Sequence, residues 1–361
     1  MRVLVIAKGC DRSEAAIYKG MVNAGVDLDM VATPDTLYQD ELFRAGVRVF
    51  PLKIRHRFDL GAILKIRSIL KSDQYDIIYA PANHPLAVAL FASRGMAVKV
   101  VGYRGTIGHL SRWDPACLVT YLHPRIDNII CVSNAVREYL LSVDIPAHKL
   151  TTIYKGHDIH WYDETPPVDM VDFNIPEGAF IVGFTGNMRP VKGIPVLLES
   201  LRYIPEQIPV YLVCIGRVLD RRINRMLRDP QIKARAHFTG FIPQASRFAR
   251  TFDCMVMPSL KREGLPRAII EAMAQDIPVV VTDVGGMPEL VHDNCDGLIV
   301  PANDPHALAR AIIQIYEDPS FRKHLTENAL KSIKEKFNIQ TTIKEVIGLF
   351  ERLIACKDNP V

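Results

Sequence analysis

Along most of the chain, short apolar runs alternate with stretches whose apolar positions recur every three or four residues. In the first half the runs predict strands at Val3–Ala7, Asp29–Ala32, Val47–Pro51, Ile77–Ala80, Val98–Gly102, Ile129–Val132 and Leu150–Ile153. The patterns between them predict helices such as Ser13–Ala24, Leu60–Lys71 and Asn134–Ser142. Strands rich in valine and isoleucine, with no polar face, belong to parallel sheets covered on both sides. Their alternation with helices predicts β-α-β units.

The pattern breaks between 163 and 178, DETPPVDMVDFNIPEG, a proline-rich, acidic stretch with neither period. It predicts an interdomain linker. Alternation then restarts, with strands expected at Ile181–Thr185, Val210–Ile215, Ala236–Thr239, Cys254–Met257, Val279–Thr282 and Leu298–Val300. Helices are expected at Ile194–Leu201, Arg221–Leu227, Arg267–Ala274, Pro305–Tyr316 and Ser320–Lys336. Residues 1–165 and 178–339 are thus read as two Rossmann-like α/β domains, doubly wound, each with a parallel sheet. The segment 340–361, helical from about Gln340 to Ala355, is expected to pack back on the first. A length of 361 residues suits two domains, since single cores rarely exceed about 250–300 residues. Two such sheets leave a cleft between their carboxyl-end loops, where folds of this kind bind ligands.

The densest chemical signal is Pro258–Ala274, PSLKREGLPRAIIEAMA. Glu263-Gly264-Leu265-Pro266 reads as a loop, with Pro266 suited to the first turn of the helix that carries Glu271. A helix start offers free N–H groups and partial positive charge to a diphosphate. Two carboxylates nearby can accept hydrogen bonds from sugar hydroxyls. The plain alternative is a surface helix with Glu271 as a solvated charge. Upstream, Val182-Gly-Phe-Thr-Gly-Asn-Met-Arg-Pro-Val-Lys-Gly193 is a strand, a glycine turn and two cations, Arg189 and Lys192, opening a helix. Gly186 and Gly193 permit close backbone approach, and fixed cations can stabilise the charge on a departing diphosphate. Gly216 ends another strand, and His237-Phe-Thr-Gly-Phe241-Ile242-Pro and Val284-Gly-Gly-Met-Pro-Glu289 follow in order.

Together these segments resemble the E-x7-E region and donor-domain loops of the family 4 retaining glycosyltransferases (glycosyltransferase group 1), specifically over 180–300 and in outline over 1–165. The resemblance implies a GT-B fold of two facing Rossmann-like domains, the first for the acceptor and the second for a nucleotide-sugar donor, UDP being the expected nucleotide. It implies that Arg189 and Lys192 grip the donor pyrophosphate, that Glu263 orients the sugar and Glu271 binds ribose. Gly186, Gly216, Gly264, Leu265 and Pro266 would line the donor, and backbone around Phe241 and Ile242 would pair with the base. In Gly105-Thr-Ile-Gly-His109, His109 would contact the donor sugar near the anomeric centre, with His84 and His157 as rivals. The family's usual Gly-Gly after the first strand is here Lys8-Gly9-Cys10, which leaves Gly9 alone on the acceptor side. Tyr154-Lys-Gly-His-Asp158 likewise stands where Asn-Gly-Val-Asp is commoner.

Composition, 48% hydrophobic and 23% charged, is that of a globular protein, and a net charge of +4 gives no case for nucleic acid. The seven cysteines are scattered without a C-x-x-C pair, as in a reducing cytoplasm. The first apolar run is shorter than the ~7–15 residues of a secretory signal. No segment reaches the ~18 apolar residues of a membrane span. No His/Asp/Glu cluster is read as having metal-ligand spacing and no cofactor is expected, so charge handling falls to Arg189, Lys192 and helix dipoles. Residues 53–71 hold six Lys/Arg against one Asp beside Leu60, Ile63, Leu64, Ile66, Ile69 and Leu70. That suits either an anionic membrane surface or a domain helix with a solvated basic face. The expected function is hexosyl transfer to a glycan or lipid-linked acceptor in cell-surface polysaccharide or lipopolysaccharide synthesis. A nucleotide-sugar epimerase and a non-catalytic sugar-nucleotide scaffold are the alternatives.

Overall fold

The computed structural model describes residues 1–163 and 175–355. Most of the predicted linker, 164–174, and the last six residues therefore lie outside the described residues. The chain divides into two units, Met1–Gly156 with the segment from Ile339 onward, and His157–Asn338.

In the first unit the order is β1 (Arg2–Ile6), α1 (Arg12–Asn23), β2 (Asp27–Ala32), α2 (Gln39–Arg44), β3 (Arg48–Pro51), α3 (Leu60–Ser72), β4 (Ile77–Ala80), α4 (Asn83–Ala92), β5 (Lys99–Arg104), α5 (Pro115–Leu118), β6 (Asn128–Cys131), α6 (Asn134–Ser142) and β7 (Leu150–Thr152). The second unit continues with β8 (Phe180–Thr185), α7 (Ile194–Ser200), β9 (Val210–Ile215), α8 (Arg221–Met226), α9 (Pro230–Arg235), β10 (Ala236–Gly240), β11 (Cys254–Met257), α10 (Arg267–Met273), β12 (Val279–Thr282), α11 (Met287–Leu290), β13 (Leu298–Val300), α12 (Pro305–Glu317) and α13 (Pro319–Glu335). The last helix, α14 (Ile339–Ala355), belongs to the first unit.

Both sheets are parallel throughout, ordered β3-β2-β1-β4-β5-β6-β7 and β10-β9-β8-β11-β12-β13. Each is doubly wound: the chain builds outward from its first strand on one side, then returns to build on the other. The first strand and the one it returns to, β1 beside β4 and β8 beside β11, mark the switch points. Helices begin where short polar side chains can cap them. Asp11 forms a capping box with Glu14, while Asp59, Ser133, Asp220, Asp304 and Asp318 each accept a first-turn N–H.

Two helices depart from their sequence pattern. Seven of the ten residues of α4 are buried; a helix apolar all round carries no period, which hides it from pattern analysis. In α3 the broad apolar face divides. Ala62, Ile66, Ile69 and Leu70 pack inward, as in an ordinary domain helix, and only Leu60 and Leu64 remain exposed.

The closing helix α14 lies against α1 at Gly20, where a Cβ would sit 2.2 Å from Cδ1 of Ile343. Thr342 Oγ1 donates to Tyr154 O at 2.8 Å and accepts from Gly156 N at 2.9 Å. Phe350 is wholly buried, its ring centroid 5.9 Å from that of Tyr79. Phe350→Ala is expected to destabilise the first unit by about 3–5 kcal/mol, read as a lower urea midpoint. An unchanged midpoint would mean that α14 is dispensable to that core.

Candidate active site

In doubly wound sheets, loops leaving the two switch-point strands run in opposite directions and open a crevice at their carboxyl ends. In the second unit these are the loops after β8 and β11. The first carries Gly186, Arg189 and a 3-10 turn, Pro190–Lys192, ahead of Gly193 and α7. The second runs from Pro258 to Pro266, the N-cap of α10.

The two loops meet in an ion pair. Lys192 Nζ lies 2.6 Å from Glu263 Oε2, and the same oxygen accepts a 2.8 Å bond from Ser259 Oγ. Thr282 Oγ1, at the end of β12, donates to Ser259 O at 2.6 Å. Ser259 and Glu263 are buried, so the carboxylate has a low-dielectric setting and two directed donors. Glycines make this approach possible. Gly193 has φ +68°, and a Cβ there would fall 1.8 Å from Pro258 O. Gly285 has φ +62°, and a Cβ there would fall 2.0 Å from Glu263 O, which also accepts from Gly286 N at 3.2 Å.

The other residues expected to line a donor lie after β8, β9 and β10 and in and just before α10. Gly186 (φ +148°) and Gly216 (φ +136°) end β8 and β9 in backbone that disfavours a side chain. A Cβ on Gly216 would lie 2.1 Å from Gly186 O. Gly264 and Pro266 are buried and Leu265 half-buried. Phe241 is 62% exposed with Arg217 Cζ 5.4 Å from its ring centroid, and Ile242 beside it is half-buried. Arg189 is exposed and, among the described residues, forms no ion pair. Glu271 is not a solvated surface charge: its side chain is 16% exposed and lies 3.3 Å from Arg267 Nε, one turn earlier in α10. Thr185 Oγ1, at the end of β8, is enclosed without a hydrogen-bond partner. Cations, carboxylates and an unmet hydroxyl at one switch point can bind an anionic, polyhydroxylated ligand.

Pattern reading missed Ser259, Thr282, Thr185 and Arg217. Ser259 stands four residues before Glu263, and its signal was a buried hydroxyl next to a strand end. The others become visible only once the strands are ordered in space.

In the first unit, Gly105–His109 follows β5 and is shaped by Arg104, which sequence reasoning also passed over. The buried Arg104 guanidinium donates to Thr106 O at 2.9 Å and to Gly108 O, and stacks 4.9 Å from the Tyr121 ring centroid. His109 itself has φ +65°, and its carbonyl accepts from Cys117 Sγ at 3.6 Å. Three of the non-glycine residues in left-handed backbone, His109, Gln244 and Arg262, fall in or beside the loops singled out for chemistry. Such strain persists where surrounding contacts enforce it. Of the rival histidines, His157 is buried against Trp161 at the edge of the second unit, whereas His84 opens α4 at the first unit's switch point.

After β1, Gly9 is close-packed: a Cβ there would be 3.0 Å from Thr36 Cγ2. Lys155, in the unusual Tyr154–Asp158 segment, pairs with Asp11 at 2.7 Å and Glu14 at 3.2 Å. Burial opposes its charge, but Glu14, Tyr103 and Asp11 outweigh it and hold the amine above its ordinary value. Burial, with Glu14 and Asp11, pushes the Cys10 thiol up to about 12, so it is no thiolate nucleophile near neutral pH. Among the described residues no group of three or more His, Cys, Asp or Glu is placed to hold a metal. The expectation of no metal passed over one Asp-x-Asp, Asp27-Leu28-Asp29 in β2. Asp29 is occupied there by Arg48 at 2.6 Å, Tyr75 Oη at 2.5 Å and Arg2 at 3.3 Å.

Two family models match the chain, Glycosyltransferase Family 4 over residues 9–161 and Glycosyl transferases group 1 over 167–332. The UDP-Gal:alpha-D-GlcNAc-diphosphoundecaprenol alpha-1,3-galactosyltransferase of Escherichia coli is 21% identical across 99% of this chain and 97% of its own length. An uncharacterised glycosyltransferase of Methanocaldococcus jannaschii is 24% identical over 64% of this chain, and the match spans 59% of that protein. Among solved structures, Anabaena HepE in complex with UDP superposes with a TM-score of 0.80 at 20% identity, covering 98% of this chain and all of that one. Sucrose-phosphate synthase of Thermosynechococcus elongatus gives 0.79 at 20% identity, covering 99% of this chain and 100% of its own. The shared fold is GT-B.

Gly193→Ala tests the backbone approach that brings the two loops together. Clash and left-handed strain should together cost about 2–5 kcal/mol. Gly178→Ala, at φ +77° with nothing within 4 Å of its would-be Cβ, should show the strain alone. Equal losses in denaturant unfolding would contradict the close approach.

Proposed function

Because the chain belongs to the group 1 glycosyltransferases of family 4, we propose that it moves a hexose-type sugar from a nucleoside diphosphate to a glycan or lipid-linked acceptor. In this reading the anomeric configuration is retained and no metal is used. The observation that carries it is the Lys192–Glu263 contact at the second unit's switch point, with Ser259 steadying the carboxylate.

An incoming diphosphate competes with Glu263 for Lys192. The carboxylate so released, still held by Ser259, can accept a hydroxyl of the sugar. Arg189 supplies a second cation for the charge that develops as the diphosphate leaves. Glu271 binds ribose hydroxyls from the first turns of α10, and Phe241 and Ile242 flank the base. Gly186, Gly216, Gly264, Leu265 and Pro266 form the donor's backbone wall. His109 contributes to turnover from the first unit, with Gly9 on the acceptor side. The Escherichia coli relative, named for UDP-galactose and a lipid diphosphate, and the UDP bound to Anabaena HepE support a uridine donor and a lipid-linked acceptor. Cell-surface glycan synthesis on the cytoplasmic side fits that acceptor class.

The proposal extends to peripheral contact with anionic membrane. Among the described residues no helix is long and apolar enough to cross a bilayer. Exposed Phe58, Leu60 and Leu64 beside Lys53, Arg55 and Lys65 form the supporting surface. Each cation near an anionic bilayer contributes about 1 kcal/mol.

Isothermal titration with UDP-, GDP- and ADP-sugars in EDTA tests the donor site. One donor should bind, and Glu271→Ala should weaken it about 10- to 100-fold. Binding that requires a divalent ion, or is unaffected by Glu271→Ala, would overturn the assignment. Epimerised donor would identify an epimerase, and binding without turnover on any acceptor a scaffold. Separately, Leu60→Asp/Leu64→Asp should abolish salt-sensitive sedimentation with phosphatidylglycerol vesicles. Retained sedimentation would reject this face.

A further inference from the structure

The first sheet has its own switch point, between β1 and β4, and several basic residues lie around it. Lys8, exposed, follows β1, and His84 opens α4 directly after β4. The β3-to-β4 crossover must pass β2 and β1, because the sheet is ordered β3-β2-β1-β4. It therefore carries Arg55, His56 and Arg57 around the same carboxyl edge. That loop is tied to α4 where the rings of Phe58 and Phe91 lie 5.8 Å apart.

The carboxylates that open α1 at this edge, Asp11 and Glu14, are paired with Lys155 at 2.7 and 3.2 Å. The carboxylate within the loop, Asp59, is committed to backbone N–H groups of Arg55 at 3.0 Å and Ala62 at 3.1 Å. Helix α4 starts at Ala82 with no side-chain cap and no acidic residue in its first turn. The imidazole of His84 has its Nδ1 enclosed and without a hydrogen-bond partner. Burial and then Lys8, Arg57 and His56 hold it below its ordinary value. A crevice position, converging cations and an unmet ring nitrogen are what an anion would complete.

We propose that Lys8, Arg57 and His84 form an anion subsite of the acceptor, taking a phosphate or diphosphate ester at the carboxyl edge of the first sheet. The proposal rests on the reading of the first unit as the acceptor unit, and names the chemistry by which it would hold one. Lys8 and Arg57 donate charge-assisted bonds to the ester oxygens, and the imidazole of His84 lies against them. The exposed ring of Phe58 and side chain of Leu60 adjoin the loop, which suits an ester with an apolar aglycone.

The test follows the His84 ring by NMR, its signal identified by loss in His84→Asn, while inorganic pyrophosphate is titrated in with UDP saturating. The signal should move in a saturable way. Lys8→Ala and Arg57→Ala should each weaken the response about tenfold while UDP affinity stays unchanged. An unmoved signal, an equal response in both variants, or an equal shift with chloride at matched ionic strength would overturn the subsite. A response to phosphatidylglycerol vesicles but not to pyrophosphate would assign these cations to a bilayer surface and overturn it too. The probe is local, so failure of UDP to bind would count against the donor reading alone.

Discussion

A lysine and a buried glutamate from opposite sides of one sheet's switch point organise the second unit. Neither side chain is well placed on its own terms. Glu263 is buried with little access to water, and Lys192 extends from a single 3-10 turn. Each makes the other's position tolerable, and Ser259 with Thr282 extends the arrangement to the end of β12. Truncating either partner of such a pair costs more than the pair contributes, because the survivor is left uncompensated. In the proposed function the pair would also couple binding to release: a ligand that took the lysine would leave Glu263, still bonded to Ser259, open to a sugar hydroxyl.

That arrangement depends on backbone more than on side chains. Gly193 and Gly285 allow two loops to touch the carbonyls of Pro258 and Glu263 at distances no Cβ could share. The first unit reaches a similar end differently, with the Arg104 guanidinium gathering the carbonyls of Thr106 and Gly108 from below. One loop is shaped by what is absent, the other by a buried cation. Each loop also holds a non-glycine residue in left-handed backbone, Arg262 in one and His109 in the other.

The sequence shows the sheets well because buried parallel strands are written as local runs of valine and isoleucine. Every run between Val3 and Val300 lies on a strand or at its edge, and the segment Pro258–Ala274 forms the loop and helix its order suggests, with Glu263 after β11 and Glu271 in α10. Helix α4 is hard to see for the opposite reason: burial on all sides erases the period. The face of α3 looked wider in sequence than it is, since a period cannot say which apolar residues meet the sheet and which meet solvent. Ser259, Arg104 and Lys155 escaped because their partners lie across loops or on other strands. Lys155 answers Asp11 from 144 residues away, a separation that no motif window spans.

The placement of α14 bears on how the molecule is made. The chain enters the second unit at His157 and leaves it at Asn338, and these ends form a parallel bridge, with His157 N also bonded to Phe337 O at 2.8 Å. The second unit is therefore an insertion, complete within one continuous stretch of chain. The first unit is discontinuous, and the helix that covers Gly20 and Tyr79 is synthesised only after the whole second unit. Domains generally fold as units during synthesis, and here the first unit cannot be complete until the second has been made. The first unit waits, with the flank of α1 at Gly20 uncovered, until α14 emerges. Until residues 339–355 are made, α1 lacks the side chain of Ile343 that packs on Gly20.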